Sequence, residues 1–145
     1  MSLGIINIVE GYTKEQKQLL IQETKKACME GFGVSMDHSF VSIQEIKAEN
    51  CDEQTKHMQC LYIFTTFGKT QEGKNLICAG FERACTMALG EDHGRSIVIF
   101  KEHGNENAGS AGYLRPFNPA YAEYLKKQEE MAERNAAKAE ELRKA

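Results

Sequence analysis

The sequence lacks the features that mark membrane, secreted and nucleic-acid-binding chains. Its apolar runs are far shorter than the roughly 20 residues that a bilayer span needs, and its N-terminus lacks the basic stretch and apolar core of a signal peptide. Lys and Arg (18) do not exceed Asp and Glu (21), whereas a dedicated nucleic-acid binder usually carries a basic excess. These absences predict a chain that acts on neither a membrane nor a nucleic acid.

Paired cysteine motifs are also missing. The five cysteines are an odd number, and no two of them have the CxxC spacing. This pattern favours reduced thiols in a cytoplasmic protein over a disulfide frame or a metal site. We therefore expect no metal and no cofactor.

What the sequence does contain is an internal repeat. When the chain is shifted by 57 residues, residues 5–46 align without gaps with residues 62–103, and 12 of the 42 positions are identical. Chance would give about three identities for ordinary composition. We interpret the repeat as a duplication, and a repeat found first constrains the whole fold.

Each copy has the pattern of a β-α-β unit. In the first copy, Ile5 to Val9 is a strand candidate, and Thr13 with Gln16 has the spacing of a helix capping box. Gly31 and Gly33 mark the end of the helix, and 39–46 is the second strand. The second copy predicts a strand at 61–67, a helix capped by Thr70 and ending near Leu89, and a strand at 96–102.

These units predict an α/β (α+β) fold with a four-stranded sheet and two helices on one face. Residues 1–57 form the first unit with its linker, and residues 58–117 form the second unit with a Gly-rich loop, the two making one domain. The remaining sheet face would be bare, although Val41, Ile43, Val98 and Phe100 are too apolar for exposure. We expect that face to be buried between subunits.

Residues 118–145 predict a charged C-terminal helix that begins with Asn118 as its cap and Pro119 in its first turn. Acidic and basic residues are spaced for pairing along a helix, and apolar residues are sparse. We expect a solvated helix docked only at its start; a partner-binding coiled coil is the alternative.

The motifs resemble those of the tautomerase superfamily. The segment EGYTKEQK (10–17) is similar to the stretch after the first strand of 4-oxalocrotonate tautomerase (4-OT). The duplicated length, the segment FGKTQEGKNL (67–76) and the ending GYLRPF (112–117) are closer to fused members, such as cis-3-chloroacrylic acid dehalogenase and malonate semialdehyde decarboxylase. The resemblance covers residues 4–117. It implies a homotrimer in which the bare sheet faces meet.

The resemblance also implies proton-transfer chemistry based on an N-terminal proline. A terminal amine in an apolar pocket loses its charge more easily, so it can act as a general base or acid. Here the only prolines are Pro116 and Pro119. The alignment places Ser2 near the family position, and Gly4 is the alternative. A free Ser2 amine would be a weak substitute for the secondary amine.

Binding residues implied by the resemblance are cations that hold a substrate carboxylate. Lys69 and Lys74 are the cations available at the start of the second helix, although Lys17 has the matching place in the first copy, which favours a solvated helix start. Arg115 and Tyr113, after the Gly-rich loop, can clamp a carboxylate; a structural hairpin is the alternative. The family arginines elsewhere are replaced by Tyr12 and Phe40.

The sequence therefore predicts a tautomerase-like isomerase that transfers a proton on a small unsaturated or keto carboxylic acid, with the usual proline base absent. The alternative is a catalytically silent trimer that acts as a scaffold or binds a small anionic ligand.

Overall fold

The structure is a computed structural model that describes residues 2–145, apart from the side chains of residues 122, 124, 125 and 128; Met1 lies outside the described residues. The helices are α1 (Lys14–Phe32), α2 (Glu53–Lys56), α3 (Gln71–Leu89) and α4 (Tyr121–Lys144). The strands are β1 (Ser2–Val9), β2 (Ser39–Ile46), β3 (Met58–Thr66), β4 (Arg95–His103), β5 (Gly109–Ser110) and β6 (Tyr113–Leu114). None of these helices has the length and apolar character of a membrane span.

The first four strands form one sheet in the order β2-β1-β3-β4. Strands β1 and β2 are parallel, as are β3 and β4, while β1 and β3 are antiparallel. Each repeat is thus a β-α-β unit, and the two units join edge to edge in opposite directions. The predicted four-stranded sheet with a separate C-terminal helix is confirmed.

Local sequence signals set the helix ends. Thr13 Oγ1 accepts from the Gln16 N–H (3.1 Å), and Gln16 Oε1 accepts from the Thr13 N–H (2.9 Å), which confirms the capping box. Thr70 Oγ1 accepts from the N–H of Gly73 (2.9 Å) at the start of α3. Gly33 ends α1 with φ of 68° and donates to Met29 O (2.8 Å), because a glycine adopts that left-handed conformation without strain.

The core lies between the sheet and helices α1 and α3. Ile6, Leu61 and Ile63 of the sheet are fully buried against Leu20 and Phe81 of the helices. The duplicated cysteines Cys28 and Cys85 are also buried, as expected of small apolar residues on the inner helix faces.

The open face of the sheet carries different residues from those that the sequence analysis assigned to it. The side chains predicted for this face, those of Val41, Ile43, Val98 and Phe100, pack against the core on the helix side. The exposed apolar side chains of the opposite face are instead Leu3, Phe40, Phe64 and Ile99. The error is one of register, since neighbouring residues of a strand point to opposite faces. The open face is apolar, as predicted, but its apolar side chains are these other residues.

Helix α4 differs from its prediction in two ways. It begins at Tyr121, not at Asn118, whose Oδ1 instead accepts from the Ala120 N–H (3.0 Å) in a preceding turn. It also packs through its second half, where Asn135 and Ala139 are buried. The expected docking at the start alone is therefore wrong, because α4 packs through a buried asparagine and a small alanine and does not need a stripe of large apolar residues.

Small residues let the helices approach closely where α4 docks. A Cβ on Gly31 of α1 would lie 2.6 Å from Gly73 O of α3, so the two backbones touch there. Asn135 Nδ2 of α4 donates to Gly31 O, which is one of the last carbonyls of α1 and has no partner within its own helix. Lys138 and Glu30 add an ion pair (3.0 Å) between α4 and α1.

Candidate functional site

Most of the site residues predicted from the sequence lie at one end of the strands of the sheet. The starts of β1 and β2 lie side by side, with Ser2 opposite Ser39. Because β3 runs antiparallel to β1, its last residues lie at the same edge, where Thr66 pairs with His103 of β4. We call this end of the sheet the site end. Ser2 is only 1% exposed there.

Two of the predicted cations meet at the site end. Lys69 Nζ lies 3.4 Å from Thr66 Oγ1, and Arg115 Nη1 donates to the same oxygen at 3.3 Å. Arg115 is buried, with 8% of its surface exposed. Two positive charges around one hydroxyl create a field that attracts an anion, and a guanidinium with low exposure is screened little by solvent.

The turns around these residues explain their placement. Lys69 follows Gly68, whose φ of 101° reverses the chain between β3 and α3. Arg115 follows the β5–β6 hairpin, and its N–H donates to Ala108 O (2.9 Å). The hairpin thus returns the chain to the sheet edge and fixes the start of the Arg115 side chain.

Aromatic rings extend this cationic region along the site end. Lys69 Nζ lies 5.6 Å from the centre of the Phe32 ring, and Phe32 packs against Phe100 in a tilted arrangement with ring centres 5.9 Å apart. Lys74 Nζ lies 5.7 Å from the centre of the Phe100 ring. Cations over ring faces are stabilised by the ring quadrupole, so the rings help to position both ammonium groups.

Lys74 has a carboxylate partner within the fold. Its ammonium is paired with Glu102, and the equivalent pair in the first repeat, Lys17 and Glu45, is 2.9 Å apart. Both pairs join the first turn of a helix to the second strand of the same unit. This repetition favours a structural role for Lys74, because a substrate anion would have to compete with Glu102.

Tyr113 is the predicted residue that the structure places least favourably. It pairs with Ser110 in the hairpin and is 52% exposed. The hairpin turn at Ala111 and Gly112 has positive φ at both residues, 53° and 89°. Tyr113 therefore forms part of the hairpin that the sequence analysis gave as the alternative.

A cluster of small polar side chains lies behind Ser2. The hydroxyls of Ser2 and Ser39 are buried and make no hydrogen bond of ordinary geometry with the described residues. They approach the Cys28 thiol closely enough to lower its pKa, but burial outweighs them and raises the pKa of Cys28 to about 11. Cys28 is therefore an uncharged thiol at neutral pH and a poor nucleophile.

A cavity of about 400 Å³ opens beside Arg115. It lies between the loop that joins α1 to β2 and the first turns of α4. Its lining includes Val34, Ser35, His38, Arg115, Tyr121 and Lys127. His38 and Tyr121 are not predicted as site residues by the sequence, since neither is part of a motif and they are far apart in the chain. The sequence features that border this cavity are Gly33, which ends α1, and the turn before α4.

The described residues contain no group of three His, Cys, Asp or Glu side chains that could hold a metal ion. Glu102, the acidic partner of Lys74, is engaged in that ion pair. The donors at the site end are instead hydroxyls, ammonium groups and a guanidinium. Such groups bind anions and not divalent cations.

Comparison with known proteins identifies the fold. No protein-family model and no curated protein matches the sequence. Solved structures do match: a fused 4-OT that forms a symmetric trimer has 21% identity and a TM-score of 0.68, and native fused 4-OT has 17% identity and a TM-score of 0.70. Each match covers 77% of this chain and 94% of the other.

A malonate semialdehyde decarboxylase inhibited by 3-bromopropiolate also matches, with 15% identity and a TM-score of 0.65 over 83% of this chain and 95% of that one. Identities this low define the fold alone. The chain therefore has the fused two-repeat tautomerase fold.

Proposed function

We propose that this protein is a tautomerase-like isomerase that transfers a proton on a small unsaturated or keto carboxylic acid. The observation that carries the proposal is the convergence of Lys69 and Arg115 on Thr66 at the site end. A carboxylate placed between them would receive charge-assisted hydrogen bonds, and Arg can hold it in a fixed orientation.

The cations have a second role in such a reaction. Removing a proton next to a carbonyl creates negative charge on oxygen, and positive groups already in position stabilise that charge without reorganising. The relation of the fold to that of fused 4-OT and malonate semialdehyde decarboxylase supports this class of substrate, since both names describe enzymes of small acids.

We assign proton transfer to the amine of Ser2, which becomes a free terminal amine once Met1 is removed. Ser2 lies at the start of β1, at the same sheet edge as Thr66. A free terminal amine has an ordinary pKa of about 7.7–8.0, and low-dielectric surroundings shift it toward neutrality. A primary amine lacks the fixed ring of proline, so we expect slow turnover.

A second candidate function is binding without turnover. It is favoured by serine at position 2, because the family base is a secondary amine. In that case Lys69 and Arg115 would hold a small carboxylate that is not transformed. Lys74 and Tyr113 belong to the proposed site only as outer residues, since one is paired with Glu102 and the other is half exposed.

We also propose that three copies associate through the open face of the sheet. Leu3, Phe40, Phe64 and Ile99 are between 38% and 46% exposed on that face. One of the matched fused 4-OT structures is a symmetric trimer, which supports a closed ring in which these side chains meet.

The test measures both turnover and binding. Ketonisation of phenylenolpyruvate is followed by ultraviolet absorbance, and its equilibrium product is titrated calorimetrically to give a Kd. We expect Lys69→Gln and Arg115→Gln each to weaken binding about tenfold or more, since hydrogen bonds to charged groups contribute about 1.5–3 kcal/mol. Matched controls are Lys47→Gln and Arg95→Gln, at the opposite sheet edge, which should change nothing.

A chain that starts with proline at position 2 separates the two candidates. General acid–base catalysis contributes about 10²–10⁴-fold, so this change should raise turnover by at least about a hundredfold if the site is a tautomerase site. Binding that depends on Arg115, with no turnover in either chain, would establish the binding function. Equal Kd values for the Arg115→Gln and unaltered chains would exclude both.

A further inference from the structure

A histidine lies next to the hydroxyl at which the two cations of the site end meet. His103 is the last residue of β4, and in the parallel register it pairs with Thr66 of β3. Paired residues of neighbouring strands point to the same face of the sheet, and the strands lie about 4.8 Å apart. The side chain of His103 is therefore a neighbour of the Thr66 hydroxyl, which Lys69 and Arg115 approach from other segments.

The hydrogen bonds of His103 leave one ring nitrogen available as a base. Nδ1 lies 3.2 Å from Gly104 O, and because a carbonyl oxygen only accepts, Nδ1 is the nitrogen that bears the proton and donates it. Gly104 O is itself fixed, since it also accepts from the Asn107 N–H (3.0 Å). Nε2 of the neutral ring then has a free lone pair, and it makes no hydrogen bond with the described residues.

The other three of the four histidines do not have this placement. His93 is buried at the opposite end of the sheet, where it is paired with Glu82 (3.2 Å). His57 directly precedes β3 at that same opposite end. His38 directly precedes β2, which is separated from β3 by β1. His103 is thus the histidine whose strand adjoins the end of β3.

We propose that His103 is a catalytic residue of this site and that its Nε2 exchanges a proton with the enol oxygen of the substrate. The inference rests on the proposed function, in which Lys69 and Arg115 hold the carboxylate and the Ser2 amine exchanges the proton at carbon. Strand β1 lies on one side of β3 and β4 on the other. The amine and the imidazole therefore lie on opposite sides of Thr66, with two strand spacings, about 9–10 Å, between their strands. A small acid held at Thr66 can reach both.

Two proton transfers then complete the ketonisation of an enol acid. Nε2 of His103 accepts the hydroxyl proton, the O–H bond breaks, and its electron pair forms the carbonyl π bond. The electron pair of the C=C bond forms a new C–H bond with the proton that the protonated Ser2 amine donates. The imidazolium afterwards releases its proton to water and the amine takes one up, so no other reactant is consumed. Each group works on the atom on its own side, as general acid–base catalysis requires.

The test follows the turnover of phenylenolpyruvate by the full-length protein, both in the unaltered chain and in the chain that starts with proline at position 2. His103→Asn keeps an N–H donor near the place of Nδ1 and has no group in the place of Nε2. Because general acid–base catalysis contributes about 10²–10⁴-fold, we expect kcat to fall at least about a hundredfold. The Kd of the equilibrium product should change less than about twofold, since the lost interaction belongs to the transition state.

Rescue by a free base distinguishes catalysis from a structural role. In His103→Ala the ring is removed, so imidazole from solution can occupy its place. After the reaction of imidazole without protein is subtracted, added imidazole should raise the kcat of this variant at least about tenfold. The matched control is His57→Gln, at an exposed position, which should keep the kcat of the unaltered protein and gain nothing from imidazole. His103→Asn decides the matter if circular dichroism shows that His103→Ala does not fold.

The outcomes separate this inference from the proposed function. If Lys69→Gln and Arg115→Gln weaken binding while both His103 variants keep their kcat, the carboxylate site stands and the role of His103 is wrong. A fall in the kcat of a folded His103→Ala that imidazole does not reverse would also overturn it, because a base in solution should replace a missing base. If neither starting chain turns over phenylenolpyruvate, the isomerase activity and this inference are both overturned.

Discussion

The buried thiol of Cys28 at the site end makes the stability of the folded protein depend on pH. Ser2, Ser39 and Cys28 lie together in the interior. Burial destabilises the charged thiolate of Cys28 by more than the two serine hydroxyls stabilise it. Burial likewise raises the pKa of Cys85, the repeat mate of Cys28, to about 12. Both thiols therefore stay protonated in the folded chain at pH values where the unfolded chain has already lost those protons.

The Cys28 thiol should make folding less favourable as the pH rises. Its ordinary pKa is 9.0 and its folded pKa about 11. Between these values the folded state binds more protons than the unfolded state, so the free energy of unfolding falls with pH. Two pKa units correspond to about 2–3 kcal/mol. In urea unfolding at pH 8.5 and 11, Cys28→Ala should lose that much less stability than the unaltered protein.

The control for this experiment is Cys51→Ala, at a half-exposed position, which should keep the slope of the unaltered protein. Cys85 remains in both variants, so some slope should persist after Cys28→Ala. Parallel stability curves for Cys28→Ala and the unaltered protein would contradict the role of Cys28.

Local residue roles were predictable where the partners are close in sequence. The Thr13–Gln16 capping box and the Thr70 cap span three residues each, and both were found by spacing. The contact of Arg115 with Thr66 spans 49 residues, and nothing in the spacing indicates it. Lys69 was proposed from a family resemblance and Arg115 from its place after the Gly-rich loop, and only the fold places them around one hydroxyl.

At the scale of elements, the repeat predicted most of the architecture. Two β-α-β units with a helix on the same side of each leave little freedom in the sheet order. The packing of α4 was not predictable from its composition. Its docking depends on the small residues of α1 and α3, which let the backbones meet, and on one buried asparagine.

Asn135 should account for much of the docking of α4. Its Nδ2 satisfies Gly31 O at the end of α1, while its own Oδ1 is buried without a hydrogen-bond partner among the described residues. Asn135→Ala removes the hydrogen bond to Gly31 O, which destabilises the fold, and it also removes the buried Oδ1 without a partner, which stabilises the fold. We expect the first effect to dominate and the free energy of unfolding to decrease by about 1–2 kcal/mol. Urea unfolding followed by far-ultraviolet circular dichroism measures it.

The matched variant is Arg134→Ala, one residue away on the exposed side of the same helix. It keeps the helix propensity nearly constant and should stay within about 0.5 kcal/mol of the unaltered protein. If both variants lost the same amount, the buried bond to Gly31 would not be what holds α4.

At the scale of the whole molecule, none of the helices in the described part of the chain covers the open face of the sheet. Phe40, Leu3 and Phe64 lie in one row across three strands, so their exposed side chains form a continuous apolar surface. Such a surface is unusual on a monomer, and it is the face through which we propose that copies of the chain associate. The sequence predicted this face as apolar but in the wrong register, because the core side and the open side of β2 and β4 are both rich in apolar residues.

Phe64→Glu tests whether copies of the chain meet on this face. If three copies do so, the change places three carboxylates in an apolar interface without partners, and burying such charges costs several kcal/mol each. Light scattering after gel filtration should then give a mass near the 16.3 kDa of one chain in place of three times that value. The matched control is Met87→Glu, since Met87 is more exposed (57%) but lies on α3, on the helix side of the sheet. A mass unchanged by Phe64→Glu would show that the open face is not the contact between copies, whereas dissociation by both variants would point to a general effect of added charge.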